Sequence, residues 1–103
     1  MREDSDVLAF EDVVVDRRSY RAERGGRTLS LSRTEFNLLA HFLEHPHRVF
    51  SKDALLNSVW GYDYVGDAGV VEVYVSYLRD KLQDRERKLI QTVRGVGYRL
   101  GDG

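Results

Sequence analysis

Over the first thirty residues the apolar positions come in short bursts. Val7-Leu8-Ala9-Phe10, Val13-Val14-Val15, Tyr20-Arg21-Ala22-Glu23 and Thr28-Leu29-Ser30-Leu31 are β-branched or alternating. They are broken by Glu11-Asp12, Asp16-Arg17-Arg18-Ser19 and Gly25-Gly26. Runs this short, with polar or glycine breaks, predict a four-stranded antiparallel meander, Gly25-Gly26 supplying the positive-φ corner of one hairpin. The six residues before it, 1–6, are polar and unpatterned, and are expected to be a tail or the remnant of a linker.

The period then changes. Ser32-Arg33-Thr34-Glu35 has the form of a capping box, in which the serine hydroxyl accepts from the amide three residues on and the glutamate reaches back. Phe36, Leu38, Leu39, Phe42 and Leu43 follow at helical spacing until Pro46 stops the helix. A second helix is expected from Ser51-Lys52-Asp53, with Leu55, Leu56 and Val59 as its apolar face and Gly61 as its end. A loop with Gly66 and two acids leads to a third helix over about 68–82. Leu89–Val93 and Tyr98-Arg99-Leu100 read as two strands joined by Arg94-Gly95-Val96-Gly97. The predicted class is α+β: an N-terminal four-stranded antiparallel sheet, a three-helix bundle and a C-terminal β-hairpin. Three short helices followed by a hairpin form a winged helix-turn-helix, here over residues 7–101.

Composition bounds this picture without sharpening it. A chain of 103 residues, 42% hydrophobic and 32% charged, is ordinary for one globular domain. No apolar run approaches the length of a membrane span, and no basic-then-apolar leader begins the chain. Zero cysteines exclude disulfides, thiolate metal sites and cysteine nucleophiles, in keeping with a cytoplasmic setting. The net charge of −1 is not the basic footprint of a nucleic-acid binder. Its distribution is more favourable. Residues 69–99 carry seven positive side chains against four negative, while acids concentrate at the front in Glu3, Asp4, Asp6, Glu11, Asp12 and Asp16.

The third helix holds the candidate chemistry. Val71, Val75, Leu78 and Leu82 form the stripe expected to face the core. Val70, Val73, Tyr74, Tyr77 and Lys81 form a second stripe. Two readings of it stand: a contact surface on DNA, where valine meets thymine methyls and tyrosine hydroxyls meet phosphates or base edges, or local packing beneath the long loop. Arg94, at a glycine-relieved hairpin tip, suits the negative potential of a minor groove, although most arginines at such tips are simply solvated. Helix and wing in this order are more specific together than either alone.

Other chemistry is weaker. His41, His45 and His47 have spacings that invite a metal reading, but the first two are expected on a solvated helix face and the third beyond Pro46. No metal, no cofactor and no catalytic constellation is expected, and the chain reads as a non-enzyme. Trp60 before Gly61 reads equally as core anchor and as DNA contact. Arg85-Glu86-Arg87-Lys88 reads as a solvated turn.

At these residues the chain resembles the OmpR/PhoB family of response-regulator effector domains. The resemblance rests on Leu29–Leu39, Val49-Phe50-Ser51-Lys52, Val59-Trp60-Gly61, Val71–Leu82 and Thr92-Val93-Arg94-Gly95-Val96-Gly97-Tyr98. It implies sequence-specific double-stranded DNA binding and transcription regulation as the output domain of a two-component system. The third helix would lie in the major groove and Arg94 in the minor groove. It implies backbone-touching or positioning roles for Trp60, Thr92 and Tyr98, and phosphate contact for Arg79. It also implies pairing of protomers on tandem or inverted half-sites, a receiver domain ahead of this one in the full-length protein, and RNA polymerase contact through loop 61–68.

The chain departs from the common pattern. Gly69-Val70 stand where many members have Arg-Thr, and Tyr74 and Tyr77 where many have histidine and arginine. Bidentate arginine–guanine contacts from those positions are lost, which predicts a weaker salt dependence and more reliance on thymine methyls, tyrosines and DNA shape. A protein-interaction module that uses the same Tyr/Val stripe or the acidic loop is the competing function.

Overall fold

The computed structural model describes residues 6–102. Four antiparallel strands come first: β1 (Val7–Phe10), β2 (Val13–Asp16), β3 (Arg21–Arg24) and β4 (Arg27–Thr28), in that spatial order. Gly25 and Gly26 turn the β3–β4 hairpin with φ of 59° and 81°, as a two-residue turn of this kind requires. β4 is shorter than expected, ending at Thr28. Beyond it Leu29 is buried and only its amide still reaches the Ala22 carbonyl, at 2.8 Å. The chain leaves the sheet there because Leu29 and Leu31 are drawn to the core and Ser32 must cap the next helix. Of the expected tail, all but Asp6 lies outside the described residues. Asp6 joins the sheet's edge through its carbonyl, which accepts from the Arg17 amide.

Helix α1 (Arg33–Glu44) starts on the full capping box, Glu35 N donating to Ser32 Oγ and Ser32 N to Glu35 Oε1 at 3.2 and 2.8 Å. It buries Phe36, Leu38, Leu39, Phe42 and Leu43. A strand the periodicity did not predict, β5 (Val49–Ser51), follows. Three residues are too few to show alternation, but a β-branched residue beside an aromatic one suits a strand. Helix α2 (Lys52–Leu55), capped by Ser51, widens into a π-helical turn over Leu56–Trp60, closed by Gly61 N donating to the Leu56 carbonyl. Helix α3 (Val70–Leu82) precedes β6 (Ile90–Val93) and β7 (Gly97–Leu100).

The hairpin is therefore part of a three-stranded sheet ordered β5-β7-β6, with Phe50 opposite Tyr98 and Thr92 opposite Tyr98 on the other side. One continuous core joins β2, α1, α2, α3 and this second sheet, with Val15, Leu38, Phe42, Leu55, Leu78, Ile90 and Leu100 almost wholly buried. No helix among the described residues is long and apolar enough to cross a membrane.

Candidate nucleic-acid interface

Helix α3 begins two residues later than the sequence pattern suggests. Ala68 and Gly69 form a turn in which Asp67 Oδ1 accepts from Gly69 N at 2.9 Å, so the first helical residue is Val70. Val71, Val75, Leu78 and Leu82 are buried, as their spacing predicts. The second stripe divides. Val73 and Tyr77 are exposed, at 45% and 50%. Val70 and Tyr74 are half-buried against the core. Lys81 is exposed but bonded to Glu35 of α1 at 2.7 Å. The reason is rotational: at about 100° per residue, positions 70, 74 and 81 fall on the flank between core and solvent. The outward face proper belongs to Val73 and Tyr77 together with Glu72, Ser76 and Asp80, which the apolar pattern could not single out.

Tyr74 stands edge-on to Trp60 at 5.4 Å and to Tyr77 at the same distance, making an aromatic ladder from the π-helical turn to the outer face of α3. Trp60 is half-buried on the core, so its anchoring role is realised in the fold. Edge-to-face pairs of this kind also limit the rotamers open to Tyr77.

Two polar anchors hold the wing to α3. Arg79 Nε and Nη2 donate to the Ile90 carbonyl at 2.9 and 2.7 Å, and Nη2 also reaches Thr92 Oγ1 at 2.8 Å. Burial, reinforced by the nearby Arg87 charge, pulls this guanidinium below its ordinary pKa. Arg79 is therefore first a brace between helix and wing, made through its Nε and Nη2 edge. The second anchor, Asp84, had no apolar signature to betray it. Its buried carboxylate accepts from the amides of Lys88, Leu89 and Ile90 at 2.8–3.2 Å, closing the turn between α3 and β6. That turn is solvated at Arg85, Glu86 and Arg87, but it pivots on this aspartate.

At the wing tip Arg94 is exposed and makes no hydrogen bond or ion pair with the described residues. Gly95 takes the positive φ of 77° there. Gly97, expected in the turn, is instead the first residue of β7 and serves close approach: a Cβ would lie 1.9 Å from the Phe50 carbonyl oxygen of β5.

Between α3 and the wing runs a groove. One stretch is lined by Glu72, Ser76, Arg79, Thr92 and Tyr98, the next by Lys52, Glu72, Gly95, Val96 and Tyr98. Glu72, Thr92 and Tyr98 belong to both, so the two stretches adjoin between α3 and the wing. The groove's charge is mixed. Arg79, Arg87 and Lys52 face Glu72 and Asp80, and Lys52 Nζ lies 3.2 Å from Glu72 Oε2.

The loop after Gly61 leaves Tyr62 and Val65 exposed, at 87% and 93%. The solvated-face expectation fails for His41: its Nε2 is buried, because the unforeseen strand β5 lays Phe50 against it at 4.6 Å.

Residues 26–100 match the model of a family described as "Transcriptional regulatory protein, C terminal". The chain is 43% identical over 94 residues to the uncharacterized transcriptional regulatory protein YkoG of Bacillus subtilis, covering 90% of this chain and 41% of that protein. It is 44% identical over 98 residues to the response regulator MprA of Mycobacterium leprae, covering 94% and 43%. The chain thus spans about two fifths of the length of these relatives. Among solved structures it is similar to the DNA-binding domain of Klebsiella pneumoniae RstA in complex with the RstA box, with a TM-score of 0.83, 31% identity and coverage of 92% and 96%.

Proposed function

This chain belongs to the family of transcriptional regulatory protein C-terminal domains, and from that premise we propose that it reads double-stranded DNA as the output domain of a two-component response regulator. The observation that carries this reading is the pair of adjoining clefts between α3 and the wing, beside the exposed Val73, Tyr77 and Arg94. Val73 and Tyr77 meet base edges in the major groove, with Glu72 as an acceptor for a cytosine amino group and Ser76 free to serve either polarity. Arg94 enters the adjacent minor groove. Thr92, Tyr98 and Arg79 position the backbone without reading sequence. Val70, Tyr74, Trp60 and Lys81 support the reading face from its flank. The domain works in the cytoplasm, without a catalytic step or cofactor of its own, behind a receiver domain whose phosphorylation favours pairing of two protomers on tandem or inverted half-sites. The exposed Tyr62 and Val65 suit loop 61–68 to contact RNA polymerase.

A protein-interaction module is the second reading. Glu72 and Asp80 on the outward face favour it, since both repel phosphate. The two readings part in one experiment. Binding sites are selected from a random DNA pool, and the best is titrated by fluorescence anisotropy against a scrambled duplex. Arg94→Ala is expected to weaken specific binding by about 1–3 kcal/mol. Tyr77→Ala is expected to change the preferred sequence with helicity intact. Equal, weak binding to both duplexes, unaltered by Arg94→Ala, would favour the protein-interaction module.

A further inference from the structure

We propose that His41, Glu44 and His45, at the last turn of α1, form a binding site for a divalent transition-metal ion of the zinc class. The inference is independent of DNA recognition, since the site lies outside the groove between α3 and the wing.

One ligand atom from each of the three residues lies within 4.8 Å of the other two. Spacings of three and four bring them onto one helical turn. Imidazole nitrogens and a carboxylate oxygen around one zinc ion sit roughly 3.3 Å apart, given bonds of about 2.0–2.2 Å, so a small rotamer adjustment closes the set. The second observation is independent of the spacing. His41 Nε2 is buried and has no hydrogen-bond partner among the described residues. A buried polar atom left so is costly, and a metal ion would use its lone pair.

The rings are also held in place before any ion arrives. His41 and His45 stand edge-to-face at 5.2 Å, and both pack on Phe50, at 4.6 and 5.5 Å. Phe50 belongs to β5, so an ion here would brace the end of α1 against the second sheet. The surrounding charges set a limit. Arg17 bonds Glu44, and Arg48 lies over the other ring in the cluster, Phe50, at 5.0 Å. A metal ion must displace Arg17 from the carboxylate and tolerate Arg48. Competition from these two cations keeps the affinity below that of a dedicated structural zinc site, with water completing a tetrahedral shell.

The test uses the tag-free 103-residue chain, stripped with a chelator and titrated with zinc sulfate in a calorimeter, with cobalt(II) as a visible probe. One ion per chain and cobalt d–d bands of a low-coordinate site are expected. His41→Gln and His45→Gln should each weaken binding about tenfold or more. His47→Gln should leave it unchanged, because His47 lies outside the cluster with its Nδ1 on the Asp102 carbonyl. Circular dichroism checks folding, and should His41→Gln unfold, His45→Gln at the exposed helix end decides. Absence of saturable zinc binding, or equal binding by the His45→Gln chain, would overturn the proposal.

Discussion

The half of the molecule built from α1 and the first sheet and the half built from α3 and the wing are held by different physics. In the first, neighbouring elements meet through alternating or helically spaced apolar side chains: Val13 and Val15 from β2, Ala22 from β3, and Phe36, Leu39 and Leu43 from α1. Its ion pairs, such as Arg24 with Asp12 at 3.2 Å, sit at the rim and contribute little. In the second, the hairpin also buries Leu89, Ile90 and Leu100, but the turn before it and its seating on α3 are held in addition by directional bonds from Arg79 and Asp84. Burial is tolerant of small shifts, whereas a carboxylate on three amides fixes a turn to a fraction of an ångström. A surface that must match base edges gains from the second kind of support.

The contrast is one of support, not of separate domains, and the largest expected effect tests that limit. Leu78 is fully buried on α3 within the core that both halves share. Leu78→Ala should cost about 2–5 kcal/mol, read from the urea midpoint at constant slope. A single transition, coincident by tryptophan fluorescence and circular dichroism, is expected. Two transitions would mean that the halves melt independently and that the core is not shared.

Asp84→Ala is smaller and local. Removing the acceptor leaves three turn amides without their partner, at a cost of about 1–3 kcal/mol. The loss should concentrate where the polar anchors act. Hydrogen exchange is expected to accelerate at Leu89, Ile90 and the β6–β7 amides, with those of β2 and β3 nearly unaffected. Uniform acceleration throughout would erase the distinction drawn between the two halves.

The same distinction explains what the sequence could reveal. The capping box, the buried stripes of α1 and α3 and the glycine hairpin were legible because each repeats a spacing that only one local structure satisfies. β5 was not, since its three residues are recognised as a strand only through pairing with β7, Phe50 across from Tyr98, a contact that spans nearly fifty positions of chain. The placement of Tyr74 and Val70 on a flank was hidden as well. Helical period alone shows which residues share a stripe, but Trp60 and the π-helical turn decide how far that stripe is covered. Arg79 and Lys81 looked like surface cations, and their partners, Ile90 O, Thr92 and Glu35, are made only by tertiary folding. The exposure of Arg94 was readable because a hairpin tip offers it nothing to bind.

The smallest expected effect lies on the seam between the halves, where Lys81 of α3 meets the capping glutamate of α1. Burial alone would raise the pKa of Glu35, but the hydrogen bond and charge of Lys81 and the Ser32 amide outweigh it, and the net shift is downward from 4.5. A carboxylate depressed in the folded state stabilises above its unfolded pKa, so this contribution is intact above pH 4.5 and is lost as pH falls through the lower folded value. Because Lys81 is 41% exposed, solvent screening limits the pair to about 0.5 kcal/mol. Lys81→Met removes the hydrogen bond and charge that depress Glu35, so its folded pKa rises and the variant loses less stability than the parent chain as the carboxylate is protonated. Urea unfolding of both chains from pH 7 to pH 3 should therefore show a gap that is present at neutrality and closes with acidification. A gap that stays constant across that range would mean that Lys81 acts through the packing of its methylene stem, and that this seam is apolar like the α1 half rather than polar like the wing.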